Sequence, residues 1–419
     1  MSNMAAASTG AKTGLRGLSR MQWIILAIAV AGELLLTADI YAFAALVPFL
    51  SKDLGISPGK VGFIQGSFAL TYCIGLMLWS PLSRRLSSRA LYVTGLATIG
   101  AGVLVQALIP NLMVLLAARL FIGFFEGAVW LGIMKMVVEW FEPAQRGMVN
   151  GLILAACSVA ITLDFALGIP IAGALGWEAF FIGVGVITLA TTVVSFLALR
   201  PGPFAAEDDG EAAAHAPVTL LFRSRWLYIG SLAIFGDTFA LNATATWAVP
   251  AFVQVQGMSI GYGAVLGSLM GLSQVFFLVL GGWLSDRTTR LTVIIGGAVL
   301  GCISAMLFTT ATFVAVPFAV LVGAVLLSGV AVFSGGAIMS MLSERFPTAL
   351  APAATGYSQF ASFLSNFFAP ATMGAAIEAG GSFGSAFLIF LAVEILVMIG
   401  VFALMWRLDK RPVATLATA

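Results

Sequence analysis

Charge is what this 419-residue chain lacks most. Only 9% of its residues are charged and 60% are hydrophobic, whereas a soluble domain carries roughly 25% charged residues. So few charges cannot cover a water-facing surface, which excludes a soluble multi-domain enzyme and a disordered chain. The 20 basic and 18 acidic residues nearly cancel, so no basic face is available for nucleic acid. Cysteine is scarce too. Cys73, Cys157 and Cys302 are odd in number, far apart and set in apolar runs, which offers neither a disulfide framework nor a metal motif. The single histidine, His215, lies in a polar connector. Metal catalysis and an intramembrane histidine relay therefore drop out, and no cofactor is expected.

What the chain has in abundance is long apolar sequence. A bilayer core about 30 Å thick needs about 20 apolar residues at 1.5 Å each. Breaks at proline, glycine and charge clusters give twelve runs, near 23–50, 61–81, 90–109, 112–138, 147–171, 178–199, 226–253, 261–284, 291–311, 314–341, 352–377 and 383–406. The expected fold is an all-α membrane protein of twelve transmembrane helices. The polar start, 1–22, carries Lys12, Arg16 and Arg20 ahead of an apolar run much longer than a signal-peptide core, which predicts an uncleaved first span. Sixteen of the 20 basic residues fall in the N-terminal tail, the even-to-odd connectors and the C-terminal tail, against Lys52 and Lys60 opposite. Both termini are therefore expected in the cytoplasm.

The two halves repeat. Val47-Pro48 matches Val249-Pro250, and at the same offset of 202 Gly55, Ser57 and Gly59 meet Gly257, Ser259 and Gly261. The register persists to Arg85 and Arg287. With an offset of 205, Glu139 and Phe141 meet Glu344 and Phe346. This duplication predicts a tail (1–22), a six-helix bundle (23–199), a solvated cytoplasmic linker (200–225), a second six-helix bundle (226–406) and a tail (407–419). Two parallel six-helix repeats suggest alternating access about a site near the bilayer midplane.

These features resemble the major facilitator superfamily over essentially the whole chain. Gly282-Trp-Leu-Ser-Asp286-Arg287-Thr-Thr-Arg290 is similar to that family's gating loop after the eighth helix. The first-half copy keeps Arg85 and Arg89 but has Arg84 where aspartate is usual. The resemblance implies a secondary transporter.

An ionisable group at mid-bilayer costs at least roughly 2.5–3.5 kcal/mol on insertion scales, so each needs a reason. The candidates are Glu33 and Asp39 in span 1, Arg119, Glu126 and Lys135 in span 4, Asp164 in span 5, Asp237 in span 7 and Glu394 in span 12. Arg119 and Glu126, seven residues apart, share one helical face, with Gly123 and Gly127 on an adjacent stripe that permits close helix approach. Counted from the outer ends, Asp39 lies roughly 17 Å deep, Arg119 roughly 10 Å and Glu126 roughly 21 Å. A long arginine reaches either carboxylate, so Asp39–Arg119–Glu126 reads as a buried triad. If Arg119 leaves one acid for another, or for a substrate anion, the released acid takes up a proton; the alternative is a static pair that fastens spans 1 and 4. Lys135 reads as snorkelling to the interface or as an anion ligand. Asp164 reads as cavity lining or as packing.

A closer resemblance rests on Arg119-Leu-Phe-Ile-Gly123-Phe-Phe-Glu126-Gly127, Trp140-Phe141-Glu-Pro143-Ala-Gln-Arg146-Gly147, and Gly176-Trp177 with Phe180-Phe181. Together these are similar to the anion:cation symporter branch, whose members take up organic anions with protons or sodium. The resemblance implies that Asp39 and Glu126 are protonation sites and Arg119 a substrate or switch residue. The chain departs from the branch at Ile40 and Glu178, where arginines are common.

Span 11 carries a polar stripe of Gln359, Ser362 and Asn366 after Tyr357 and Ser358, which in a membrane faces water or a partner helix. Asn242 in span 7, Gln274 in span 8, and Gln65 and Tyr72 in span 2 add further polar contacts, either to a ligand or between helices. Tyr41 and Trp130 offer flat walls. The expectation is an inner-membrane monomer that imports a small organic anion with protons, or with sodium. A proton-coupled exporter of drugs or hydrophobic compounds, or an anion exchanger, is the rival; the exporters' Gly-Pro pair is interrupted here at Gly168-Ile-Pro170. A receptor or scaffold would not need the buried charges, and no nucleophile–base constellation points to an enzyme.

Overall fold

The structure, a computed structural model, describes residues 17–83, 85–204, 218–346 and 350–406. The expectations that concern Lys12, Arg16, Arg84, His215 and the C-terminal tail lie outside the described residues. Twelve long helices follow in order among those described: α1 (Arg20–Asp53), α2 (Pro58–Ser83), α3 (Ser88–Leu108), α4 (Leu112–Trp140), α5 (Gln145–Leu175), α6 (Trp177–Ala198), α7 (Arg225–Val255), α8 (Ile260–Arg287), α9 (Arg290–Ala311), α10 (Phe318–Arg345), α11 (Ala353–Gly380) and α12 (Phe383–Trp406). Eleven are long and apolar enough to cross a membrane. The other is α7, diluted by Asp237, Thr238, Asn242, Thr244 and Thr246. Residues 239–252 of α7 are all buried, so the protein and not lipid shields this polar span.

Local chemistry sets the helix ends. A capping box between Ser19 and Gln22 starts α1, while the side chains of Ser87, Asn111, Ser259 and Thr289 cap α3, α4, α8 and α9. The repeat is visible in backbone geometry. Gly55 and Gly257, equivalent in sequence, both turn in the left-handed region at φ 60° and 64°, where a side chain would be strained.

Two helices are irregular at mid-span. In α5 the turn Asp164–Gly168 is a π-helix. Pro170 lacks the N–H that would bond back to residue 166, and the widened turn absorbs that defect. In α10 the helix tightens to a 3₁₀ turn at Gly329–Val332 and restarts at Gly335.

Glycines set the packing. Gly123 and Gly127 of α4 abut the backbone of α2 at Phe68 and Gly75–Leu76, and Gly75 abuts Phe124 in return. This leaves the Arg119–Glu126 face of α4 free to meet α1. The two six-helix halves touch through α2 with α11 and α5 with α8. Gly59, Gly62 and Gly66 back onto Glu378, Pro370 and Phe367, while Gly267 and Gly271 back onto Phe165 and Thr162. These contacts run from the end of the molecule bearing the α1–α2 turn, here the far end, to just past its midpoint. There Tyr72 meets Phe363 edge to face at 4.7 Å. Toward the near end, where α1 begins and α12 ends, Tyr357 and Phe360 of α11 are exposed.

Candidate functional site

Arg119 is fully buried on α4. Its Nη2 donates to the Asp39 backbone carbonyl at 3.0 Å, and its Nη1 lies 3.6 Å from Asp39 Oδ2. The Phe43 ring, one helical turn beyond Asp39, lies under the guanidinium at 4.7 Å, a cation–π contact that helps to desolvate it. The other Asp39 oxygen, Oδ1, accepts from Gln106 Nε2 of α3 at 3.2 Å. Arg119 is thus held by one residue of α1 in two ways, and that residue is held by α3.

Glu126 lies on the same face of α4 and is fully buried, but neither of its oxygens has a hydrogen-bond partner. Arg119 Nε and Nη1 also lack hydrogen bonds. The pair on the page is therefore Asp39–Arg119, with Glu126 close enough for its charge to act on Arg119. Asp164, presented by the π turn of α5, acts on Arg119 too, and Glu33 acts on Glu126. Asp164 Oδ2 and Glu33 Oε2 are buried and unpartnered. Three carboxyls thus act on one buried guanidinium, with Glu33 behind Glu126 as a fourth acid, an arrangement whose charge cannot balance if every acid is ionised. Removing one partner of a buried pair typically costs about 3–5 kcal/mol, so the site stores a large response to any change in its pairing.

The neutral candidates divide into ties between helices and free groups. Asn242 Nδ2 donates to Asn366 Oδ1 at 2.6 Å and to Thr238 O at 2.9 Å, which fastens α7 to α11. Gln65 Nε2 donates to Ile40 O at 3.2 Å, and its Oε1 is unpartnered. Gln274 accepts from Ser158 Oγ at 3.4 Å across the two halves. Tyr72 is half-buried, within electrostatic reach of Glu33 and Glu126. Trp130 and Gln359 are also half-buried, whereas Tyr41 is buried in the core and Tyr357 is exposed against Phe222.

Lys135 has a clear tie: Nζ donates to the carbonyls of Ser83 and Leu86 at 3.0 and 3.2 Å. It satisfies the open carbonyls at the end of α2, where a cation also suits the helix dipole. In the second half, Ser334 Oγ, at the break in α10, donates to Asp237 Oδ2 at 2.5 Å. Glu394 is buried beside Gly301, with Oε1 unpartnered.

At the near end Arg290 binds Glu344 through Nε and Nη2 at 3.1 and 3.0 Å, and Asp286 through Nη1 at 3.1 Å. The hydrogen bond it donates to Glu344, then that to Asp286, raises the Arg290 pKa above its ordinary value. Arg287 stacks on Trp283. Gly282 has open space around it, and it is the preceding Gly281 that abuts the Phe333 carbonyl. In the first-half copy, Arg89 turns instead to Phe196, bonding its carbonyl and covering its ring, and Arg85 is exposed.

Sequence reasoning missed Gln106 and Ser158. Both carried the signal that exposed the others, a hydrogen-bonding side chain in an apolar run.

The fold and its buried mid-span charges are those of a membrane transporter. The chain belongs to the Major Facilitator Superfamily, whose family model matches residues 29–370. It is 24% identical over 396 residues to the hexuronate transporter of Bacillus subtilis (strain 168), covering 90% of this chain and 93% of that protein. It is likewise 24% identical over 412 residues to the probable galactarate/D-glucarate transporter GudP of Escherichia coli (strain K12), covering 87% and 90%. The inward-open xylose transporter XylE from E. coli superposes with a TM-score of 0.76 at 18% identity, covering 95% and 99%. The twelve-helix expectation and the likeness to transporters of organic acids both stand.

Proposed function

We propose that the protein imports a small organic anion of the carboxylate class by proton symport. The observation that carries this reading is the buried Asp39–Arg119 pair with Glu126 unpartnered beside it. An arriving carboxylate competes with Asp39 for the guanidinium. The displaced acid, desolvated and no longer paired, then takes a proton. Glu126 and Asp164 provide further places for protons, so that neutralisation accompanies anion entry. Asn242, Asn366, Gln359, Gln65, Gln274 and Tyr72 supply neutral hydrogen bonds around the path, and Trp130 and Tyr41 its walls. The names of the sugar-acid relatives favour the same cargo.

The far end corresponds to the outside and the near end to the cytoplasm of a bacterial inner membrane, with both termini inside, as the lysine and arginine bias requires. The two bundles, 23–199 and 226–406, rock about the site, and Arg290 with Asp286 and Glu344 keeps α8, α9 and α10 moving as one block. A monomer suffices for this cycle.

Liposomes loaded with a pH indicator test the reading against a panel of external carboxylates. Acidification of the lumen by one compound, absent in Asp39→Asn and Glu126→Gln, supports it. Uptake without a pH change overturns proton coupling in favour of sodium or exchange. The excess of acids over cations also suits a cationic cargo exported against protons. A panel silent to carboxylates but responsive to hydrophobic cations favours that second reading.

A further inference from the structure

Ser57 and Ser259 occupy equivalent places in the two repeats, each immediately before a helix. Their roles differ. Ser259 Oγ caps its own helix, accepting from the Tyr262 amide at 3.4 Å. Ser57 Oγ instead donates to Glu378 Oε2 at 2.9 Å, and the same oxygen accepts from the Gly59 amide at 2.8 Å. Glu378 lies at the far end of α11, more than 300 residues away and in the other half.

The first turn of any helix has four amides without internal partners, and a carboxylate is the acceptor best suited to them. Here that acceptor is borrowed across the interface that must separate during transport. A Cβ at Gly59 would meet the Glu378 carboxylate, so a side chain here would push that carboxylate aside. We propose that Glu378 is a gating residue: its carboxylate latches the far end shut by capping α2, and opening of that end leaves the first turn of α2 uncapped. The latch belongs to one side only. The repeat-related position to Glu378, at the offset of 205, is Gly173, and α8 supplies its own cap. Among the described residues the α2–α11 seam therefore carries a polar lock at its end without a counterpart in the α5–α8 seam.

Hydrogen bonds to a charged acceptor are among the stronger ones, but this one is exposed, so its loss should shift the closed-to-open ratio by about three- to tenfold. The inference does not depend on which solute moves. Hydrogen–deuterium exchange on the reconstituted full chain tests it, with spin labels on the far ends of α2 and α11. In Glu378→Ala the exchange of residues 57–62 should rise about three- to tenfold and the label distance distribution should gain a longer component. Ser57→Ala, which spares the Gly59 bond, should give a smaller rise, while 259–264 exchange as in the wild type. Unchanged exchange at 57–62 and an unchanged distance distribution in both variants would overturn the latch. If Glu378→Ala does not fold, Glu378→Gln and Ser57→Ala decide between the same two outcomes.

Discussion

The two halves of the chain carry different chemistry. In the first, Asp39, Glu126 and Asp164 act on Arg119 and Glu33 on Glu126, and most of their oxygens lack hydrogen-bond partners. In the second, among the described residues, Glu394 is buried and Asp237 is half-buried and bonded by Ser334, while the amides of Asn242 and Asn366 are tied to one another. At the near end the second half holds an Asp286–Arg290–Glu344 network, and in the first half Arg89 turns to Phe196 while Glu139 accepts from Ser88. A duplicated fold thus keeps its helices and redistributes its charges, which teaches that pseudo-symmetry of backbone implies nothing about symmetry of chemistry.

Breaking the first-half cluster should have the largest effect. Arg119→Ala should lower uptake by at least 100-fold in liposomes and destabilise the protein by about 3–5 kcal/mol through uncompensated buried acids. Asp39→Asn in the same background should recover much of the thermal stability without recovering uptake. A double variant no more stable than the single would show that the pair is not the coupling element. Next in size, Glu126→Gln should abolish accumulation driven by an inward proton gradient while leaving substrate counterflow within about threefold of wild type. Uptake should accordingly fall in the wild type, and not in Glu126→Gln counterflow, as external pH rises and the gradient vanishes. In the second half, Asp237→Asn should cost no more than about 1–3 kcal/mol, the loss of one hydrogen bond to a charged group, and should leave the pH dependence of uptake unshifted. The smallest change belongs to the near end. Arg290→Ala should cost at most about 1 kcal/mol, since its partners are exposed, and high salt should reduce that difference in melting temperature.

The span count was legible, and so was the burial of Glu33, Asp39, Arg119, Glu126, Asp164 and Glu394, because a bilayer makes polarity costly and therefore conspicuous. The same logic explains what was hidden. Span 11 was read by periodicity as a polar stripe, yet Asn366 proves to be tied to Asn242, a partner no single-helix pattern names. Lys135 was placed correctly near a helix end, but its partners are carbonyls of a neighbouring helix, and backbone groups leave no trace in sequence. The triad was drawn from depths along two helices; depth fixes height but not rotation, and Arg119 selects Asp39 while Glu126 stands unpaired. The break in α10 also escaped notice, since glycine is common throughout this chain and signals little on its own.

Gly59, Gly62 and Gly66 line the face of α2 that meets α11. Helices that interlock through side chains must withdraw knobs from holes before they part, and each withdrawal adds friction to the motion. A glycine rail offers almost nothing to withdraw. If the halves rock, α2 slides and tilts backbone on backbone at these glycines, and the resistance is concentrated in the contacts beside them: the Ser57–Glu378–Gly59 tie and the Phe63–Phe367 and Tyr72–Phe363 ring pairs.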